Sequence, residues 1–125
     1  MALTFMEARD FRRIALALTG VVESSHMNHP DFRVSGRIFA TLHADDRYGM
    51  VKLTPDQQKR FLLQGAAAFA PENGAWGRQG CTRVSLKSVD EDTLGEAITL
   101  AWKSATTKRT SRTSRTSRTS RTSRT

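Results

Sequence analysis

The stretch Val34-Ser-Gly-Arg37 constrains the fold of this 125-residue chain more than any other. It places a two-residue turn between two extended runs, a loop length that is typical of an antiparallel hairpin. Pro30 restricts its own φ and disfavours a helical conformation at the residue before it, so the first strand is approached in an extended conformation. The run 37–42 after the turn is mostly apolar without strict alternation, which predicts an interior strand covered on at least one face.

The segments around this hairpin predict three helices and further strands. Apolar residues at helical spacing predict a first helix that is capped by Thr4 and stops at Gly20. Thr54 begins a second helix, whose buried stripe is expected to reach Phe69, and the third helix begins at Ser88 or Asp90. The other predicted strands are 21–27, 48–53 and 81–87, and 71–80 is predicted to be a loop. The pattern favours an α+β fold, an antiparallel sheet with helices packed on one face.

The formal net charge of +8 is concentrated at the end of the chain. Seven of the 20 lysines and arginines follow residue 105, in a segment without any acid, so the body 1–105 is nearly neutral. From Arg109 onward Arg-Thr-Ser repeats with no apolar residue, and nothing there offsets the entropy of ordering the chain. We therefore predict a domain over 1–105 and a disordered basic tail over 106–125; slippage of the coding sequence and selection are both open as its origin.

Cysteine usage and hydropathy favour a cytoplasmic protein. Cys81 is the single cysteine, so an internal disulfide is excluded and a reducing compartment is favoured. No apolar run approaches the roughly 20 residues of a membrane span. The N-terminus lacks the basic segment and apolar region of a signal peptide.

The histidines and serines do not form a recognisable catalytic or metal-binding pattern. His26 and His29 form a His-x-x-His motif and His43 follows on a turn, but none has helical i, i+4 spacing and Cys81 has no cysteine partner. The serines before His26 lack the glycine pattern of a nucleophile elbow, and no glycine-rich phosphate loop is present. We predict a non-catalytic protein without a metal or other cofactor.

Several stretches of the body together carry a family resemblance. They are Phe11-Arg-Arg-Ile-Ala-Leu-Ala-Leu18, Gly20-Val-Val-Glu-Ser-Ser-His26, His29-Pro-Asp-Phe-Arg-Val34, Arg37-Ile-Phe-Ala40, Trp76-Gly-Arg-Gln-Gly80 and Thr82-Arg-Val-Ser-Leu86. In this order they resemble the MmcQ/YjbR family of small bacterial proteins, from about Thr4 to Ala105. The resemblance implies a CyaY-like fold similar to a double-wing DNA-binding domain, with DNA as the expected partner and no catalytic signature. One departure is Cys81, where many relatives have an aromatic residue.

Basic residues on the predicted strands and loops are the candidate DNA-binding residues. They are Arg33, Arg37, Lys52, Arg78, Arg83 and Lys87, and Trp76 either stacks on a base or packs against the sheet. In an antiparallel sheet several of these cations can share one outward face, at a spacing suited to phosphate contacts. We therefore expect DNA binding through a basic sheet face and hairpin wings. The alternatives are an ordinary solvated face, or an adaptor that binds a protein or a small ligand on the same face.

Overall fold

A computed structural model of the chain describes residues 6–43 and 45–115, with side chains as far as Thr106. Within these residues, six strands form one antiparallel sheet in the order β1-β2-β3-β4-β6-β5, accompanied by four helices. The strands are β1 (Val22–His26), β2 (His29–Val34), β3 (Arg37–Leu42), β4 (Tyr48–Lys52), β5 (Phe69–Pro71) and β6 (Cys81–Ser85). The helices are α1 (Ala8–Leu16), α2 (Pro55–Gln64), α3 (Gly74–Arg78) and α4 (Glu91–Arg115). The predicted α+β class is confirmed.

The central hairpin forms where the sequence predicts it. Ser35 and Gly36 both have positive φ, 54° and 78°, as the two central residues of a type I′ turn require. The tip between β1 and β2 uses the same conformation, with Met27 at 50° and Asn28 at 68°. The prediction of strand through Met27 is therefore one residue too long, because this turn matches the twist of the strands it joins.

An irregularity in β3 explains why its sequence does not alternate. Phe32 pairs with Ala40 while the next residue, Arg33, pairs with Ile38, so Phe39 has no partner on β2. Phe39 and Ala40 are both fully buried, and Ile38 lies on the opposite face of the sheet. A bulge of this kind is how one strand places two consecutive side chains in the core.

One face of the sheet is covered by helices and contains the core. The largest fully buried side chains there are Phe11, Phe32, Phe39, Phe61, Leu42, Leu86, Leu94 and Ile98. The rings of Phe11 on α1 and Phe32 on β2 lie 5.8 Å apart between centroids. A methyl group at Gly49 would overlap the ring of Phe11, so this glycine lets α1 approach β4 closely.

Helix α2 begins as predicted and ends earlier. The Gln57 amide donates to Thr54 Oγ1 at 3.1 Å, and the Thr54 amide donates to the Gln57 side chain at 3.0 Å, which forms a capping box. The helix stops at Gln64, and the Gly65 amide donates to the Phe61 carbonyl as its cap. The predicted continuation to Phe69 is wrong, because that residue pairs with β6 in β5 while its ring packs on Phe61 at 5.0 Å.

The region 71–80 is more ordered than the predicted loop. Helix α3 occupies its middle, and the last residue of β5, Pro71, is its first residue. The side-chain amide of Gln58 donates to the Gly77 carbonyl at 3.0 Å and to the Cys81 carbonyl at 3.1 Å, which ties α3 to α2 and β6. This order depends on a side chain distant in sequence, so local patterning does not reveal it.

The two terminal helices also differ from their predicted bounds. Helix α1 is capped by Glu7, whose amide donates to Asp10 Oδ2 at 2.9 Å; Thr4 lies outside the described residues. Asp90 caps α4 by accepting from the Thr93 amide at 2.8 Å. The helical backbone of α4 runs to Arg115, past the predicted domain boundary at residue 105, through a segment without proline or glycine. The rest of the predicted tail, 116–125, lies outside the described residues. No helix in this part of the chain is long and apolar enough to cross a membrane.

Candidate binding site on the open face of the sheet

We call the face of the sheet opposite α1, α2 and α4 the open face. Pairing across the strands assigns its members, since directly opposed residues share a face. Thr41 is opposite Met50, Met50 is opposite Arg83, and Lys52 is opposite Cys81. The other members on β1, β2 and β3 are Val22, Ser24, His26, His29, Asp31, Arg33 and Ile38. Most of these side chains are half-buried or exposed, in contrast to the opposite face.

A hollow of about 500 Å³ lies on the open face where α3 approaches the strands. Ile38, Thr41 and Met50 supply its base from β3 and β4, and most of its surface is apolar. Lys52 and Trp76 line one part of the wall. Such a volume falls in the range of about 300–1,000 Å³ that small-ligand sites occupy.

Two cations of the open face lie over aromatic rings. Lys52 Nζ is 5.7 Å from the ring centroid of Trp76, and the guanidinium of Arg83 is 5.6 Å from that of Tyr48. Trp76 is 62% exposed although it is large and apolar. Within the described residues neither cation forms an ion pair with an acid, so both charges are available to an anion in solution.

Three histidines line another part of the wall, and two of them are held by carboxylates. His26 Nδ1 lies 2.7 Å from Asp31 Oδ2, and His43 Nε2 lies 3.0 Å from Glu72 Oε2. The His29 ring lies between them, with centroids 6.1 Å from His26 and 6.5 Å from His43. No cluster able to hold a metal ion occurs in the described part of the chain.

Asp31 is fully buried under the side chains that bind it. Arg33 donates to it from Nε at 2.8 Å and from Nη2 at 3.1 Å, and His26 contacts it from the other side. The Arg33 guanidinium, and to a lesser degree His26, hold the pKa of Asp31 below its usual range although burial acts in the opposite direction. The charge of Arg33 is thus compensated within the sheet.

The structure brings together three of the seven candidate residues from the sequence. Lys52 and Arg83 lie on neighbouring strands of the open face, and Trp76 reaches over Lys52 from α3. Arg78 is exposed on the same short helix, but two residues after Trp76 its side chain leaves the helix in a different direction.

Three further candidates, Arg33, Arg37 and Lys87, do not add free charge to this surface. Arg33 is on the open face but bound to Asp31. Arg37 pairs with the buried Val34 and therefore lies toward the helix-covered side. Lys87 follows β6 and lines a separate depression with Arg47.

Sequence reasoning did not single out Asp31, Glu72 or Tyr48. The alternation of His29, Asp31 and Arg33 along β2 was a usable signal, because residues two apart share a face. The contact between His43 and Glu72 joins positions far apart in sequence and had no local signal.

Cys81 lines the hollow without the character of a nucleophile. Its side chain is buried, and that burial raises the pKa of the thiol. A thiol with a raised pKa stays protonated at neutral pH, whereas nucleophilic attack needs the thiolate.

Comparison with known proteins assigns the family. The family model described as YjbR matches residues 16–104, which is most of the chain. The chain belongs to the YjbR family. Among solved structures, the YjbR-family chain resembles a Deinococcus radiodurans protein with a DUF419 domain, with a TM-score of 0.68 and 17% identity over 82% of this chain and 80% of that one. At this identity the likeness shows the fold alone, and no curated protein matches the chain.

Proposed function

We propose that this YjbR-family protein binds DNA non-covalently through the open face of its sheet. The observation that carries the proposal is the placement of Lys52 over the exposed ring of Trp76 at the hollow. An aromatic face with an adjacent uncompensated cation is the combination that binds a base and its phosphate. The same proposal places the protein in the cytoplasm, where its lone thiol stays reduced.

The contacts divide between phosphates and a base. Lys52, Arg83 and Arg78 neutralise phosphates, while Trp76 stacks on a base. The hairpin tip at Met27 and Asn28 contributes little, because it carries no charge. The footprint is therefore small. A body that is nearly neutral overall favours a few local contacts rather than wrapping of a long duplex.

A second candidate function is that of a small-ligand or protein adaptor. The mostly apolar lining of the hollow, with Ile38 and Met50 at its base, favours this alternative. It uses the same face without phosphate contacts. It predicts that occupancy of the hollow is insensitive to salt, whereas DNA binding weakens as salt rises.

Fluorescence anisotropy with labelled DNA tests the proposal on the full chain. The variant Lys52→Ala/Arg83→Ala removes two charges from the open face. The matched control Arg37→Ala/Lys87→Ala removes two charges that lie off it. We expect about a tenfold loss of affinity for the first variant and less than about twofold for the control.

Both variants keep the basic tail, so its base-independent attraction for phosphates is the same in each. Equal losses in the two variants would show that the open face is not the DNA-binding surface. Absence of DNA binding in the unaltered chain would leave the adaptor as the better candidate.

A further inference from the structure

We infer that the hollow is a subsite for one unpaired nucleobase, so that the open face selects single strands over duplex DNA. This inference rests on the proposed function and specifies its ligand. Three features of the hollow carry it: its volume, the aromatic and cationic pair at its wall, and the carboxylate-held imidazoles that line it.

The shape of the hollow suits a single base better than a double helix. Its volume of about 500 Å³ is that of a small-molecule site rather than of a flat surface that tracks phosphates. In a duplex both faces of a base are stacked and one edge is paired, so the base enters such a site only after leaving the helix. An unpaired base is already free to enter.

The wall formed by Lys52 and Trp76 can hold both parts of a nucleotide. The exposed indole offers a face on which a base can stack, and sequence-tolerant stacking of this kind is common in single-strand binding proteins. Lys52 Nζ lies 5.7 Å from the centre of that ring, close enough to contact the phosphate of the same nucleotide. Duplex DNA, whose bases stay stacked in the helix, would contact only Lys52 through a phosphate.

The histidines provide polar groups for the edge of a base. Asp31 engages Nδ1 of His26. Nε2 of His26 has no hydrogen-bond partner within the described residues. Glu72 engages Nε2 of His43 in the same way and leaves Nδ1 unengaged in the described structure. Because the carboxylates hold these rings and both histidines line the hollow, a ligand there meets imidazoles that do not first have to be ordered.

Oligonucleotides with and without bases test the inference on the full chain. The probes are an oligothymidylate of about ten nucleotides, an abasic oligomer of the same length, and a duplex of the same length. All three present phosphates, whereas only the first presents unpaired bases. We expect the abasic oligomer and the duplex to bind about tenfold more weakly than the oligothymidylate.

The variant Met50→Trp fills the hollow and leaves every charge in place. We expect it to reduce oligothymidylate affinity to the level of the abasic oligomer. The matched control is Leu63→Trp, which adds the same side chain at an exposed position of α2 away from the open face and should change affinity by less than about twofold. Circular dichroism and thermal unfolding verify that both variants are folded.

The outcomes separate the two proposals. If all three probes bind equally, or if Met50→Trp binds the oligothymidylate like the unaltered chain, the base subsite is overturned while DNA binding stands. If no probe binds, both the base subsite and the proposed DNA binding are overturned. A retained preference for bases after Trp76→Ala, which removes the stacking ring, also overturns the inference.

Discussion

The two faces of the sheet are stabilised in different ways, although the same strands form both. On the covered face, Phe32, Phe39 and Leu42 are fully buried and held by packing against helices. On the open face, side chains are held in pairs, as Arg33 is by Asp31 and Lys52 is by Trp76. Packing stabilises the fold, whereas the pairs fix the orientation of polar groups that still contact solvent. Substitution of an exposed side chain on the open face is therefore expected to leave the packing of the covered face intact.

The largest expected effect distinguishes the faces by stability. Phe32→Ala removes a fully buried ring and should lower the free energy of unfolding by about 3–5 kcal/mol, measured by urea denaturation. Trp76→Ala removes an even larger ring on the open face, and its cost should be below about 1 kcal/mol because the side chain is mostly exposed. Similar costs for the two variants would remove the distinction between the faces.

Asp31 is an exception on the open face, because its side chain is fully buried while most of its neighbours there are half-buried or exposed. Asp31→Asn should lower the free energy of unfolding by about 2 kcal/mol near neutral pH, because Arg33 and His26 lose their shared acceptor charge. The pKa of Asp31 is lowered in the folded state, so this contribution is complete above about pH 4 and is lost as the pH falls through that lowered value.

Urea denaturation of both proteins from pH 7 down to pH 3 measures this dependence. The difference in stability between the unaltered chain and Asp31→Asn should shrink only at the acidic end. A difference that is constant across this range would mean that the carboxylate charge does not stabilise the open face.

Trp76→Ala should affect binding far more than folding. We expect single-stranded DNA affinity to fall by about 1–3 kcal/mol, the usual cost of removing one stacking ring, measured by anisotropy at fixed salt. Trp102→Phe is the control, since its indole N–H donates to the Thr19 carbonyl at 3.0 Å at a position away from the hollow. Equal losses in affinity for both variants would indicate a general effect of losing an indole.

The smallest expected effect concerns the salt dependence of binding. Lys52→Ala should reduce the slope of log affinity against log salt by about 0.7, the value for one phosphate contact on a single strand. Lys87→Ala, in the separate depression, should leave the slope unchanged. An equal change in both would place phosphate contacts on more than the open face.

Much of the fold followed from local signals. The turn at Ser35-Gly36 and the capping box of Thr54 and Gln57 were predicted because their residue types satisfy backbone requirements in place. The site was predicted less completely. Lys52, Trp76 and Arg83 were named as candidates, but Arg37 and Lys87 were named beside them because residue type alone does not reveal the register of a bulged strand or the end of a sheet.

The sequence by itself determined the start of α2, the central hairpin, the α+β class and the YjbR family, because each depends on residues close together in the chain. Only the tertiary structure decided which cations remain free. Asp31 compensates Arg33, Glu72 reaches His43 from another strand connection, and Gln58 holds α3 so that Trp76 stands over Lys52. These contacts depend on the distance between side chains in space, and the order of residues along the chain does not specify that distance.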